Sequence, residues 1–103
     1  DLEVAGEPRE LDPAVGTALV RAVQEALANT RKHAAHAAVD VKLDYAAGSV
    51  RLTVADRQGR RPPDAAAAGY GLRGMGERVA LLDGHVESGP GEDGWRIHLT
   101  VPA

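Results

Sequence analysis

Every strand-like segment of this chain is apolar on one face only. Val39, Val41, Leu43 and Tyr45 alternate with Asp40, Lys42 and Asp44. Val50, Leu52 and Val54 alternate with Arg51 and Thr53, and Trp95, Ile97, Leu99 and Val101 alternate with Arg96, His98 and Thr100. A period of two with one polar face describes a sheet buried on one side and wet on the other, which is the habit of mostly antiparallel sheets. The four residues Ala46-Ala47-Gly48-Ser49 between the first two segments are short enough for a hairpin. A short strand and turn are expected within residues 1–11, where Gly6 and Pro8 interrupt the pattern. Another strand is expected near residues 85–88, joined to the last by a turn over Gly89-Pro90-Gly91-Glu92-Asp93-Gly94.

A one-sided sheet needs a cover, and two segments with helical spacing supply it. Asp12-Pro13 is a helix start, because Asp caps and Pro suits the first helical position. From there to about residue 35, Val15, Leu19, Ala22, Val23, Ala26, Thr30 and Ala34 share one face. A second helix is expected over about residues 74–83, with Leu72, Met75, Val79 and Leu82 inward and Gly84 as the C-terminal cap. Residues 57–68, rich in Arg, Pro and Ala and without period, read as a mobile loop. The expected fold is therefore α/β (α+β): a two-layer sandwich of a mostly antiparallel mixed sheet covered on one face by helices.

The 103 residues suit one domain with one modest core. Phe is absent and aromatics make up 3%, so that core must be aliphatic. A net charge of −3 argues against a nucleic-acid partner, which needs a clustered basic surface. Without cysteine there are no disulfides or thiolate metal sites. No apolar run is long enough to span a membrane and no signal peptide is visible, so no membrane contact by this domain and a cytoplasmic location are expected. The abrupt start at Asp1, without Met, reads as a piece of a longer chain.

Three constellations carry chemistry. Glu25, Asn29, Lys32 and His33 fall within about one quadrant of the first helix, beside its apolar stripe. A carboxylate and an amide one turn apart, next to a cation, can hold Mg²⁺ and its water while the cation meets a phosphate; a solvated helix face has the same pattern. Asp56 shares the parity of Val50, Leu52 and Val54, so it points to the core side at the end of its strand. A carboxylate there needs a donor, and the exocyclic amine of a nucleobase is a suitable one; alternatively the strand has ended and Asp56 opens a turn. The third is Gly69-Tyr70-Gly71-Leu72-Arg73-Gly74-Met75-Gly76-Glu77-Arg78. Glycines at a helix start allow backbone to approach a phosphate, and the first turn offers unpaired N–H groups; a flexible hinge would also use them. Gly69, Gly71 and Gly74 match G-x-G-x-x-G, but no strand precedes them and too little chain follows for another βαβ unit, so a dinucleotide fold is rejected.

The order and spacing of the three match a family. Gln24-Glu25-Ala26-Leu27-Ala28-Asn29-Thr30-Arg31-Lys32-His33-Ala34 resembles the N-box of the GHKL ATPase superfamily, in the form found in sensor histidine kinases of the nitrate-sensor and DesK subgroup. The stretch from Gly69 to Met75, followed by Glu77-Arg78-Val79, resembles that subgroup's second glycine box. Asp56 falls where the first glycine box supplies its adenine-binding aspartate. The resemblance implies a Bergerat-type fold that binds Mg-ATP between the long helix and a lid at residues 57–68. It implies that Asn29 coordinates Mg²⁺, Glu25 orients water or metal, Lys32 meets phosphate and His33 lines the pocket. Asp56 would accept from the adenine amino group, while Gly69, Gly71, Leu72, Arg73, Gly74 and Met75 would wrap the phosphates or close the pocket. The first glycine box departs from its usual form: Gln58 stands where glycine is usual, and Gly59 follows. Either the loop is shifted by one residue or the adenine pocket is altered.

By the same resemblance, the γ-phosphoryl group would pass to a histidine on a separate dimerisation domain of the same kinase, and onward to a response regulator. None of His33, His36, His85 and His98 is followed by Asp or Glu, so the phosphoacceptor is expected outside this chain. A serine kinase of the anti-sigma-factor type shares the N-box, and Gln58 keeps open a docking module with weak nucleotide binding.

Overall fold

The computed structural model describes residues 2–33, 38–57, 70–90 and 94–103, without the side chains of residues 29, 30, 32, 33, 70–73 and 90. In chain order the elements are β1 (Leu2–Ala5), α1 (Pro13–His33), β2 (Val39–Ala46), β3 (Ser49–Asp56), α2 (Tyr70–Ala80), β4 (His85–Pro90) and β5 (Trp95–Pro102). The sheet runs β1-β2-β3-β5-β4; β1 pairs with β2 in parallel and all other neighbours are antiparallel. The expected two-layer sandwich is thus the observed one, with β3 and β5 in its middle.

The strand parity read from the sequence decides the core. Val50, Leu52 and Val54 from β3 and Ile97, Leu99 and Val101 from β5 are buried against Val15, Leu19, Ala22 and Ala26 of α1 and Met75 and Val79 of α2. Alanine at two of the four α1 positions brings that helix close to the sheet. The odd-numbered apolar residues of β2, from Val39 to Tyr45, are only half-buried against this core. In the edge strand β1, Leu2 and Val4 stay 73% and 48% exposed.

Local chemistry fixes the start of α1. The Asp12 carboxylate accepts from the Ala14 N–H at 2.9 Å, and its carbonyl accepts from Gly16 N at 3.0 Å. Such a cap is worth about 1 kcal/mol. Near the opposite end of the chain path, Arg9 Nη2 lies 2.9–3.1 Å from the carbonyl oxygens of Ala46, Ser49 and Ala103, and its guanidinium carbon stands 5.7 Å from the Tyr45 ring centre. The segment after β1 is thereby tied to the β2–β3 turn.

Three boundaries differ from the sequence expectation. The second helix begins at Tyr70, four residues earlier than expected, and runs through Gly71 and Gly74; the burial of Met75 and Val79 holds it against the sheet despite the glycines. Its C-terminus is a Schellman turn, with Gly84 N donating to Val79 O at 3.0 Å and Asp83 N to Ala80 O at 3.0 Å. The left-handed residue of that turn is Asp83, at φ 61°, not Gly84. Gly84 is needed for room instead: a Cβ there would meet the Thr100 carbonyl oxygen and lie 2.7 Å from Val79 Cγ1. Finally, Gly89 and Pro90 continue β4, opposite Arg96 and Trp95, rather than opening the turn. Proline fits because β4 is an edge strand and needs no outward donor. The expected loop at 57–68 lies outside the described residues from 58 onward, as do the last residues expected in α1.

Candidate functional site

The two helices cross the same face of the sheet in opposite directions. Near the beginning of α1, Ala14 and Thr17 share a groove with Leu81 and Leu82, which follow α2. Two turns further along α1, Glu25 faces Arg78. Continuing by one turn, about 6 Å on each helix, sets Asn29 abreast of the first turns of α2. The C-terminal part of α1, with Asn29, Lys32 and His33, therefore lies beside the Gly71–Gly74 end of α2.

Asp56 is at the same end of the sandwich. Its strand partner is Val39, the first residue of β2 after α1, and the Arg57 N–H donates to Ala38 O at 2.8 Å. At the opposite end, Gly84 packs on Val101 as α2 turns into β4. So α2 runs from the Asp56–Trp95 end of the sheet to the Thr100 end.

Asp56 closes β3 with its side chain turned to the core side, as its parity predicts, and is 5% exposed. Its Oδ1 accepts from the Trp95 N–H at 2.9 Å. Gly94 presses on it: a Cβ at 94 would meet the Asp56 carbonyl oxygen and lie 2.8 Å from Oδ1. Neither Gly94, at the end of an apparent turn, nor the amide of Trp95, the first residue of the expected strand, stands out in the sequence. The strand register brings them beside the carboxylate. Arg57, next in sequence, points away and grips Asp40 at 2.7–2.8 Å.

Glu25 is not a free carboxylate. Its Oε1 accepts from Arg78 Nη2 at 3.1 Å, and the two side chains are 32% and 34% exposed. Gly74 and Met75 differ in what they offer. Met75 is 1% exposed and anchors α2 in the core, whereas Gly74 has, among the described residues, Arg78 Nη1 alone near its missing Cβ, at 3.4 Å. Asn29, Lys32 and His33 are on α1 and Gly71, Leu72 and Arg73 on α2 by backbone, their side chains lying outside the described residues. Gly59 and Gly69 lie outside the described residues altogether.

The donor set at this end is suited to a metal–nucleotide pair: an almost buried carboxylate, a helix carrying an amide and a cation one turn apart, and a helix start carrying glycines. A separate open groove of about 620 Å³ runs along the other flank of α1, over β1 and β2, lined by Leu19, Val23, Leu27, Val41 and Leu43 among others. Its described lining carries no charged side chain and is not suited to phosphate. Among the described residues no group of three His, Asp or Glu side chains could hold a metal by itself. No helix among the described residues is long and apolar enough to cross a membrane.

No family model matches the chain. Among curated proteins it is 34% identical over 105 residues to the signal transduction histidine-protein kinase/phosphatase DegS of Brevibacillus brevis, covering 99% of this chain and 27% of that protein. It is 35% identical over 86 residues to the sensor histidine kinase LnrJ of Bacillus subtilis, covering 84% of this chain and 21% of that protein. The chain thus spans about a quarter of the length of these relatives. Among solved structures, the histidine kinase domain of the blue-light activated histidine kinase from Erythrobacter litoralis superposes with a TM-score of 0.78 at 23% identity, over 98% of this chain and 53% of that one. The ATP binding domain of PrrB from Mycobacterium tuberculosis superposes with a TM-score of 0.66 at 20% identity, over 100% of this chain and 79% of that one.

Proposed function

The chain belongs with the GHKL-type catalytic and ATP-binding domains of sensor histidine kinases, and on that premise we propose that it binds Mg-ATP at the Asp56 end of the sandwich and presents the γ-phosphoryl group to a histidine outside this chain. The observation that carries the reading is the convergence of a buried carboxylate, the end of α1 and the glycine-bearing start of α2. The relatives' names and the crystal structure of ShkA in complex with AMPPNP, which superposes with a TM-score of 0.70 at 24% identity over 98% of this chain and 25% of that one, support it.

In this reading each residue has one task. Asp56, fixed by the Trp95 amide, accepts a hydrogen bond from the adenine amino group. Asn29 offers its side-chain oxygen to the metal, with Glu25 one turn before it. Lys32 neutralises phosphate charge and His33 lines the same wall. Gly69, Gly71 and Gly74 let backbone amides reach the phosphates, Leu72 and Arg73 close over them, and Gly59 borders the base. Met75 holds the helix that carries them. Bound Mg²⁺ supplies charge neutralisation on the phosphate oxygens. Phosphoryl transfer asks little of a protein beyond such positioning; the bond from the γ-phosphorus to the bridging oxygen breaks as the bond to the acceptor imidazole nitrogen forms, and ADP leaves. The acceptor belongs to the dimerisation domain of the same kinase, and a response regulator receives the group afterwards. The domain itself is a cytoplasmic one that touches neither membrane nor nucleic acid.

Calorimetric titration with a non-hydrolysable ATP analogue, with and without Mg²⁺, tests the reading. Saturable binding strengthened by Mg²⁺ is expected, and Asp56→Asn should keep the fold, since an amide oxygen still accepts from Trp95, while narrowing the preference for ATP over GTP. Heat flat up to millimolar ligand would remove the proposal. Unchanged base preference in Asp56→Asn would remove Asp56 from the pocket. Asn29→Asp should alter the Mg²⁺ response, and an identical response would remove the metal role of Asn29.

A further inference from the structure

The side chain of Arg78, on the glycine-bearing helix, reaches across to Glu25 on α1. Side chains on a helix lean toward its N-terminus, and Arg78 does so: its Nη1 lies 3.4 Å from where a Cβ on Gly74, one turn earlier, would be. The missing side chain at Gly74 leaves a shallow channel along α2. Lying in it, the guanidinium meets Glu25 at 3.1 Å, across 53 residues of sequence. Both partners are about two-thirds covered, so the pair sits in the seam between the helices and not on an open surface.

We propose that Arg78 is a positioning residue for the nucleotide site: it fixes the Glu25 carboxylate, one turn before Asn29, and with it the spacing between the start of α2 and the end of α1. The inference rests on the Mg-ATP reading above. An ion pair this exposed adds little to stability; its consequence is geometric. Without it Glu25 is a long side chain free to leave the seam or to bond the metal directly. With one oxygen engaged by the guanidinium, the carboxylate is held in the seam, one turn before Asn29. It can then accept a hydrogen bond from a water of the bound metal, which is the arrangement Mg²⁺ favours because it releases its waters reluctantly. Arg78 touches neither metal nor phosphate in this scheme.

The test uses the 103-residue chain and measures affinity for a non-hydrolysable ATP analogue in Mg²⁺ and in EDTA, the ratio being the metal enhancement. Circular dichroism and a thermal melt accompany each variant. Arg78→Ala and Glu25→Ala should each lower the enhancement about fivefold. The double variant should be no worse than either alone, and Arg78→Lys should recover part of the loss. Affinity in EDTA should change less than twofold, which a general loosening of the fold would not produce. Should Arg78→Ala fail to fold, Arg78→Gln, of similar length and polarity, is read in its place. An enhancement within twofold of wild type in a folded Arg78 variant, or additive losses in the double variant, overturns the positioning role and leaves the Mg-ATP reading intact. A wild-type chain with no enhancement overturns both.

Discussion

Replacing Gly74 by alanine should make the protein more stable and a poorer nucleotide binder at once. Gly74 is in the body of α2 and is not among the glycines with positive φ. Among the described residues an added Cβ would find only Arg78 Nη1, at an ordinary contact distance of 3.4 Å. Among the described residues only the Arg78 guanidinium bears on the choice of glycine there, and a methyl group would touch it without a clash. Alanine in a helix interior is better than glycine by about 0.8–1 kcal/mol. For a domain of this size that corresponds to a rise in Tm of about 4–7 °C. The residue that costs the fold this much is explained if backbone at 74 comes within contact of a phosphate, where a methyl group intrudes. The expected loss of affinity for a non-hydrolysable ATP analogue is about tenfold, or about 1.4 kcal/mol. Gly76→Ala is the control: among the described residues no atom lies within 4 Å of its missing Cβ and it stands outside the proposed contacts, so it should stabilise the helix by a similar amount and leave affinity alone. Differential scanning calorimetry and isothermal titration on the same preparations read both quantities. A lower Tm for Gly74→Ala would refute the packing argument. A higher Tm with unchanged affinity would refute the ligand argument, leaving the glycine unexplained.

Asp83→Gly should raise stability by about 0.5–1 kcal/mol in urea melts, because the left-handed position of the Schellman turn at φ 61° suits glycine better than aspartate. Gly94→Ala should cost about 1–3 kcal/mol in the same assay and disturb base preference, since its methyl would run into Asp56. His98 is half-buried, holds Thr53 Oγ1 with Nδ1 at 2.9 Å, and has its pKa lowered from 6.5, first by burial and then by the charges of Arg51 and Arg96. The fold prefers the neutral ring while the unfolded chain takes up a proton near 6.5, so stability should be full above that pH and fall as the pH drops through it. Thermal melts between pH 7.5 and 5.5 should show His98→Gln losing less than wild type; parallel losses would clear His98 of this role.

Features encoded by neighbours in sequence were legible, and features made by distant pairing were not. The Asp12-Pro13 start of α1 and the inward parity of Asp56 depend on a few adjacent residues, and both appear as expected. The beginning of α2 was obscured because glycines weaken local helix preference; tertiary burial of Met75 and Val79 supplies what the local sequence lacks. The left-handed residue at the end of α2 was assigned to the glycine because glycine is the usual occupant, but Gly84 is required by contact with β5 and the preceding aspartate takes the unusual φ. The Glu25–Arg78 pair and the press of Gly94 on Asp56 cross 53 and 38 residues of sequence, and no periodicity reports on them. For the site, residue types and order could be read directly, and the antiparallel run of the helices, which brings those residues to one end, could not.

That antiparallel run has an electrostatic consequence. The antiparallel run sets the carbonyl-rich end of α1 and the amide-rich end of α2 at the same end of the sandwich, so two opposite macrodipole termini share it. A lone anion arriving there is attracted by one and repelled by the other, with little net gain. A cation and an anion arriving together, each toward its own terminus, are both favoured. In the proposed Mg-ATP reading such a pair of termini would select by charge arrangement before any side chain is engaged, and chelating the cation should weaken the hold on the anion even where the two share no ligand.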